Sequence, residues 1–215
     1  MVDNDREDVQ EVPYEALARA RSSTSFPQPT RHTLYDIRWP AELPDLASAA
    51  AEAFAQSAQA VSNPTSATRV FDELPSEPGD AAGLMVRSAG VAAAHAFATD
   101  IAGWERHDDE ELEIMLFSLG AFIEKAGTGG GLFRRLLAQG AFEIAQMTGD
   151  EATTSSARSA SRAAEAWTTV ARSATARDKP ARSGVRDAAQ SALALPELEA
   201  MLTQDLHGAA ASLRT

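Results

Sequence analysis

Apolar residues recur at intervals of three and four through most of the chain, and this spacing places them on one face of an α-helix. Two consecutive stripes are the clearest: Leu112, Met115, Leu116, Leu119, Phe122 and Ile123, followed by Phe133, Leu136, Leu137, Gly140, Ile144 and Met147. Further helical stretches are predicted at 12–21, 46–61, 81–104, 153–176, 184–194 and 196–206. Asp45 can cap the helix at 46–61, and Gly149 is predicted to end the helix of the second stripe. No segment predicts a convincing strand. The fold class is therefore predicted as all-α, an irregular helical bundle with a long extended N-terminal segment.

The N-terminal part of the chain departs from the helical pattern. Residues 1–11 are acidic and are predicted to be frayed or disordered. Residues 22–45 carry four prolines and little helical periodicity, yet they include Phe26, Tyr35 and Trp39. A long extended segment with apolar anchors usually has a binding role, so Trp39 is a candidate for docking a partner.

The length of the chain fits one sizeable domain or two small ones. We predict a single helical domain over residues 12–205, which includes the extended segment 22–45 and a Gly-rich turn at 126–131, and a C-terminal tail at 206–215. Alanine dominates the apolar residues, and aromatic residues make up only 6% of the chain. This composition favours closely packed helices over sheets.

The Gly-rich turn separates the two clearest apolar stripes. Four of the five residues from Gly127 to Gly131 are glycine, and the next helix opens with two arginines. Bare amides at a helix start can bind an anion, and a guanidinium adds a planar set of donors. The candidate substrate- or anion-binding residues are Thr128, Gly129, Gly130, Gly131, Arg134 and Arg135. The alternative is a tight helix–helix turn, in which the glycines permit close packing and the arginines are solvated.

Other candidate groups for chemistry are few. Glu124 lies beside the turn and is a tentative general base; a surface glutamate next to Lys125 is the alternative. None of the four histidines has a ligand partner three or four residues away, so no metal site is predicted. The chain has no cysteine, which removes disulfides, thiolate metal sites and a cysteine nucleophile from it. No cofactor is predicted.

The charge of the chain narrows the choice of partners. A net charge of −12 argues against nonspecific binding of nucleic acid, which depends on lysine and arginine. Residues 156–186 nevertheless hold seven basic residues and two acidic ones. This basic strip suits an acidic partner such as a carrier protein, with Arg172 and Arg177 as docking residues, whereas a solvated helix face is the alternative. Because the sequence has no signal peptide and no apolar run of about 18 residues, we expect a cytoplasmic protein without a membrane span.

Three stretches together resemble the C-terminal domain of proteins of the butirosin biosynthesis H type. They are 17–23 (Leu-Ala-Arg-Ala-Arg-Ser-Ser) with the Pro-rich run behind it, Gly103-Trp104 ahead of an acidic helix, and 123–134 with its Gly-Thr-Gly-Gly-Gly-Leu-Phe-Arg element, joined by 163–167 downstream. The resemblance covers about residues 12–205, which is nearly the whole chain.

This resemblance implies a role in natural-product biosynthesis. Such proteins usually carry an N-terminal half that resembles a papain-like peptidase with a Cys/His pair, and the best-known member moves an aminoacyl group from a carrier protein to an aminoglycoside amine. That half is missing here, so we expect a split system in which the chain needs a second protein subunit, as a heterodimer. The chain also resembles the small subunits of the two-subunit enzymes that form aziridine rings in azinomycin-type pathways.

Two classes of function follow from these observations. In the first, the chain is a subunit of a heteromeric enzyme that acts on an amino substrate bound to a carrier protein. Such an enzyme would close an aziridine ring by amine displacement of a sulfate or, alternatively, transfer an aminoacyl group. In the second, the chain is a noncatalytic scaffold or carrier-docking module that uses the basic strip. We do not expect the chain to be an enzyme on its own.

Overall fold

The structure is a computed structural model that describes residues 11–22, 38, 41–69, 84–125, 128–176 and 179–215. The chain forms two compact units. The first unit comprises Met1–Leu43 and Arg69–Gly83, and its described helix is α1 (Tyr14–Arg21), which buries no side chain. Most of the predicted extended segment, with Trp39, lies outside the described residues.

The second unit comprises Pro44–Thr68 and Leu84–Thr215 and contains the other described helices. They are α2 (Leu46–Ser62), α3 (Gly90–Asp100), α4 (Asp109–Glu124), α5 (Arg134–Thr148), α6 (Glu151–Ala174), α7 (Ala181–Ala192) and α8 (Leu195–Ser212), with a 3-10 turn at Ile101–Arg106. The predicted all-α helical bundle is confirmed. The described chain adds only one small pair of strands, β1 (Thr65–Arg69) and β2 (Leu84–Ser88).

The helix predicted at 81–104 was placed too early. Residues 84–88 form β2, and the helix begins only at Gly90. Gly90 has a φ of +52°, and a Cβ built on it would lie 1.8 Å from the carbonyl oxygen of Val61. The backbone therefore changes direction at this glycine, where it meets the end of α2, and a continuous helix cannot pass through it.

The C-terminal tail predicted at 206–215 is instead the last part of α8, which continues to Ser212. Leu206, Ala209 and Ala210 are buried in the same apolar cluster as Phe54 of α2. The tail prediction failed because short alanine side chains give little periodic signal, although they allow a neighbouring helix to approach closely.

Helix α6 is the centre of the second unit and packs against α4, α5, α7 and α8. Its buried face consists mostly of alanine, serine and threonine, with Trp167 as its largest member. One apolar cluster surrounds its C-terminal half and includes Leu116 and Val185, and another surrounds its N-terminal half and includes Phe54 and Leu202. Small side chains on α6 therefore let four helices pack around one axis.

Side-chain caps fix where three of the helices begin. The carboxylates of Asp45, Asp108 and Asp150 accept hydrogen bonds from the backbone amides of the residues three positions later, at 3.0, 2.9 and 2.6 Å. Each satisfies one of the amides that a helix start leaves unpaired. Gly149, with a φ of +72°, ends α5 where the sequence predicted it. No described helix has both the length and the apolar character to span a bilayer.

Candidate functional site

The Gly-rich turn is a run of five consecutive residues with positive φ. The angles are +65°, +85° and +55° at Gly129, Gly130 and Gly131, and +50° and +68° at Leu132 and Phe133. Glycine adopts this left-handed conformation freely, whereas leucine and phenylalanine adopt it at a cost of about 1–2 kcal/mol each. The turn is therefore strained at its last two residues, directly before α5 begins.

The turn closes the C-terminal end of α4 with its own groups. Thr128 is buried, and its hydroxyl donates to the carbonyl oxygen of Ile123 at 2.8 Å. The amide of Leu132 donates to the same carbonyl at 3.0 Å. A helix leaves its last carbonyls unpaired, so the left-handed turn supplies the donors that this one needs.

Two of the turn amides that we predicted to bind an anion donate to oxygen atoms of the protein itself. The amide of Gly131 donates to Oε1 of Glu124 at 3.3 Å, and the amide of Gly130 approaches Oγ1 of Thr128 at 3.4 Å. Gly131 also packs on α6, since a Cβ built on it would lie 2.8 Å from the backbone of Ala164. These amides serve the protein's own oxygen atoms, and the glycines permit close packing, as the alternative interpretation held.

Arg134 is likewise paired with a residue of the chain itself. Its Nε and NH2 donate to the carboxylate of Glu199 at distances from 2.9 to 3.1 Å. Glu199 is 1% exposed and also accepts a hydrogen bond from Nε1 of Trp167 at 2.8 Å. The buried carboxylate thus neutralises the arginine and ties the start of α5 to α6 and α8.

Arg135, in contrast, belongs to a polar group that surrounds Glu124. The hydroxyl of Thr168 donates to Oε1 of Glu124 at 2.6 Å and accepts from NH2 of Arg135 at 3.1 Å. NH1 of Arg135 lies 3.7 Å from Oε2 of Glu124. Together with the amide of Gly131, these donors fix the carboxylate in one orientation.

The second glycine of the turn makes room for this group. A Cβ built on Gly130 would lie 2.2 Å from NH1 of Arg135 and 3.1 Å from Oε2 of Glu124. The bare backbone at this position therefore lets the guanidinium and the carboxylate lie against the turn. The glycine thus brings bare backbone close to charged groups of the chain itself.

A cavity of about 920 Å³ opens beside this polar group, between α4 and the C-terminal half of α6. Glu124, Arg135 and Thr168 line it. Its other basic lining residues are Lys125, Arg172 and Lys179, and its apolar walls include Leu116, Phe117 and Ala171. We call this space the α4–α6 cavity. Cationic groups beside an apolar wall suit a small molecule with an anionic end.

Two of the cations of this cavity have no counter-charge within the part of the chain that the structure describes. Within the described residues, the side chains of Lys125 and Arg172 form neither an ion pair nor a hydrogen bond. Lys179, in contrast, pairs with Asp187 at 2.5 Å. An anion entering the cavity would therefore meet two unpaired cations and the guanidinium of Arg135.

The rest of the basic strip mostly holds the second unit together. Arg182 binds Asp109 at 2.9 Å and the carbonyl oxygen of Glu105 at 2.6 Å, and Arg186 binds the carboxylate of Glu105 at 2.5 Å. Of the two predicted docking arginines, Arg172 lines the cavity, and Arg177 lies outside the described residues, as does Trp39. The strip is thus not one continuous free surface.

Sequence reasoning missed Thr168 and Glu199 as members of this arrangement. Thr168 carried no signal, because hydroxyl residues are common along α6. Glu199 did carry one, since it lies between Leu195 and Leu202 at helical spacing, on the apolar stripe of α8. A charged residue on a buried stripe predicts a buried partner of opposite charge. In the described chain no three His, Asp or Glu side chains converge as metal ligands do.

The fold and the site define an all-α protein with a polar, cation-lined cavity beside a strained turn. The chain belongs to the family described as Domain of unknown function (DUF4872), which matches residues 15–206 and so covers nearly all of it. No curated protein and no solved structure matches the chain.

Proposed function

We propose that this chain is one subunit of a heteromeric biosynthetic enzyme that acts on an amino substrate bound to a carrier protein. The observation that carries the proposal is the placement of Glu124 and Arg135, whose carboxylate and guanidinium open together into the α4–α6 cavity. A base beside a fixed cation is what a reaction needs when it removes a proton from an amine and releases an anion.

The cavity has a suitable size and polarity for such a substrate. Its volume of about 920 Å³ lies within the range of small-molecule sites. Arg135, Arg172 and Lys125 offer donors for a sulfate, phosphate or carboxylate group, while Phe117 and Leu116 offer an apolar wall for carbon atoms. Glu124 provides the acceptor for a cationic or protonated amine.

The specific reaction we propose is closure of an aziridine ring. The amine nitrogen attacks the neighbouring carbon, forming a C–N bond, while the C–O bond to a sulfate group breaks and the sulfate leaves with the electron pair. The proton lost by the nitrogen goes to a carboxylate oxygen of Glu124. Arg135 and Arg172 stabilise the departing sulfate, and the cavity holds the two reacting atoms in line.

The need for a second subunit rests on two features. The resemblance of 123–134 to the C-terminal domain of the butirosin biosynthesis H type associates this turn with a protein that has a catalytic half elsewhere. The unpaired cations of the cavity also suit a partner that carries the substrate on a phosphate-bearing arm. In this proposal the second subunit completes the cavity and recognises the carrier protein.

Reconstitution with the product of a neighbouring gene tests the proposal. The substrate is a carrier-bound vicinal amino sulfate ester, and the readout is released sulfate together with the mass of the carrier-bound product. We expect activity from the pair and none from the chain alone. Full activity from the chain alone would refute the heteromeric arrangement. Consumption of the thioester without release of sulfate would show that the reaction is aminoacyl transfer and not ring closure.

Two glutamates of α4 provide a matched comparison for the base. Glu124→Gln should lower kcat by about 10²–10⁴-fold, because general-base catalysis contributes that much. Glu113 lines the same cavity but has no hydrogen bond to Thr168, so Glu113→Gln should keep the rate within about twofold. Equal rates for the two variants would show that Glu124 is not the general base.

A further inference from the structure

Helix α4 exposes an apolar face that nothing in the described chain covers. Ile114 and Phe117 are 62% and 67% exposed, and Phe122, to one side of the line they form, is 65% exposed, although the opposite face of the same helix is buried in the core. Isolated apolar residues are common on protein surfaces, but several large ones on one helix indicate an interaction site.

The charges along this face change sign from one end to the other. The first turn of α4 carries Asp109, Glu110 and Glu111, and the residue after its last turn is the exposed Lys125. Glu110, Ile114, Phe117, Ala121 and Lys125 follow one another at intervals of four, three, four and four. This spacing places them along one side of the helix, with an acidic end, an apolar middle and a basic end.

We infer that α4 pairs in antiparallel orientation with α4 of a second copy of this chain. In the register centred between Phe117 and Ser118, Glu110 of each copy faces Lys125 of the other. Ile114 then faces Ala121 of the other copy, and the two Phe117 rings meet near the two-fold axis. Each charged end therefore finds its complement, and the apolar residues bury one another.

The charge pattern favours a second copy over other occupants. A two-fold interface uses the same patch twice, so a patch that is acidic at one end and basic at the other complements itself only when the helices are antiparallel. An acidic partner would meet repulsion from Glu110, whereas Asp109 is already paired with Arg182. Antiparallel pairing also places opposite ends of the two helix dipoles together.

The inferred dimer would extend the candidate site. Phe117, Ala121 and Lys125 lie both on this face and on the wall of the α4–α6 cavity. The α4 helix of the second copy would therefore form part of the cavity rim and narrow its entrance. Because Glu110 of that copy would pair with Lys125, Arg135 and Arg172 are the cations that the dimer leaves for an anion. The inference does not rest on the proposed reaction, because its tests measure association and not activity.

Cysteine cross-linking gives a direct test, since the chain contains no native cysteine. Ser118→Cys places one thiol per copy next to the inferred axis, where a short bismaleimide can join them. Gly140→Cys on α5 is the matched control, because the space around that position is open. We expect a covalent dimer from Ser118→Cys and little from Gly140→Cys. Equal cross-linking of the two variants would overturn the inference.

Charge reversal tests the register. By two-fold symmetry the dimer contains two Glu110–Lys125 contacts, so Glu110→Lys or Lys125→Glu alone should weaken dimerisation roughly tenfold in analytical ultracentrifugation. The double variant, which restores opposite charges, should recover most of the affinity. Phe117→Asp should give a monomer with unchanged circular dichroism.

Three further results would overturn the inference. The first is a monomeric wild-type chain at concentrations of tens of micromolar. The second is a dimer that survives both Phe117→Asp and the single charge reversals. The third is a monomer whose Phe117→Asp variant loses binding to the second subunit, because that result would assign the α4 face to that subunit instead.

Discussion

Arg134 and Glu199 form a bidentate ion pair between residues 65 positions apart in the sequence, with NH2 of the arginine 2.9 Å from Oε2 of the glutamate. The carboxylate is almost fully buried and also accepts from the indole of Trp167. An arginine in the first turn of a helix is unfavourable beside the positive end of the helix dipole. The pair offsets that cost and holds α5 against α8.

Truncating Arg134 should lower the free energy of unfolding more than truncating the neighbouring Arg135. Arg134→Ala leaves the carboxylate of Glu199 buried with only one donor, so we expect a loss of about 3–5 kcal/mol in the free energy of unfolding. Arg135→Ala, at a half-exposed site, should cost less than about 1 kcal/mol. Denaturation in urea measures both.

A double variant tests whether the unpaired carboxylate of Glu199 causes the loss of stability. Arg134→Met with Glu199→Met should recover much of the stability lost in Arg134→Ala, since no uncompensated charge remains. If the double variant is no more stable than Arg134→Ala, the carboxylate is not the source of the cost.

Alanine substitutions at three glycines separate the cost of a steric contact from the cost of a left-handed backbone. Gly131→Ala meets the backbone of Ala164 and a positive φ, so we expect a loss of about 2–4 kcal/mol. Gly149 also has a positive φ, but the space around its Cα is open, so Gly149→Ala should cost about 1 kcal/mol. Gly140→Ala lies in open space within α5 and should stabilise the protein by about 0.5–1 kcal/mol.

The order of these three effects is the test. Thermal or urea unfolding of the three variants should rank Gly131→Ala as the least stable and Gly140→Ala as the most stable. Similar values for Gly131→Ala and Gly149→Ala would mean that the contact with α6 contributes nothing beyond the left-handed backbone.

Phe133 should tolerate glycine. Its φ of +68° is unfavourable for phenylalanine, and its side chain is about half exposed. We expect Phe133→Gly to leave the free energy of unfolding unchanged or to raise it by up to about 1 kcal/mol, since the relieved strain offsets the lost apolar contact. A loss of more than about 2 kcal/mol would show that Phe133 packs on something essential. If stability holds while association or activity falls, the residue has been kept for an interface.

Asp150 should make the stability of α6 depend on pH. Burial raises the pKa of this carboxyl group, but hydrogen bonds from Ser212 and Thr153 outweigh burial and leave the pKa below its ordinary value. A lowered pKa favours folding above the ordinary value of about 3.9, and the contribution is lost as the pH falls through the pKa of the folded state.

The comparison of wild type with Asp150→Asn measures this contribution. The variant should be less stable by about 0.5–2 kcal/mol at pH 7, because the helix cap is weakened, and the difference should shrink below pH ~4. Ser212→Ala removes one of the hydrogen bonds that lower the pKa of Asp150, so the pH-dependent part of the difference should be smaller and its loss should be complete at a higher pH. A difference that stays constant from pH 7 to pH 3 would contradict the assignment.

The positions of the helices follow largely from local pattern. Apolar residues at intervals of three and four, with Asp45 and Gly149 as start and stop signals, predict α2, α4, α5 and α6 within a few residues. Local rules suffice here because caps and periodic apolar faces act within one or two turns. They fail at 84–88, where pairing with a distant strand decides the conformation.

The sequence also identifies some residues of the candidate site but not the contacts that they make. The sequence marks Glu124 and Arg135 because they flank a conspicuous run of glycines, but it treats Arg134 and Arg135 as equivalent. Their different fates depend on α6 and α8: a buried carboxylate, Glu199, binds the first, and Thr168 directs the second towards the cavity. No local pattern distinguishes two adjacent arginines, because the groups that bind them are far away in the chain.

The amino-acid sequence by itself determined an all-α chain, a left-handed glycine turn between two amphipathic helices and an excess of negative charge with one basic stretch. Only the tertiary structure decided that the turn amides bind the protein's own oxygens, that three basic residues near the turn remain on a cavity, and that one face of α4 is exposed. The physical reason is the separation in sequence between the residues that interact. Helical periodicity and backbone conformation are set by neighbours in sequence, whereas charge pairing and exposure are set by helices that meet only after folding.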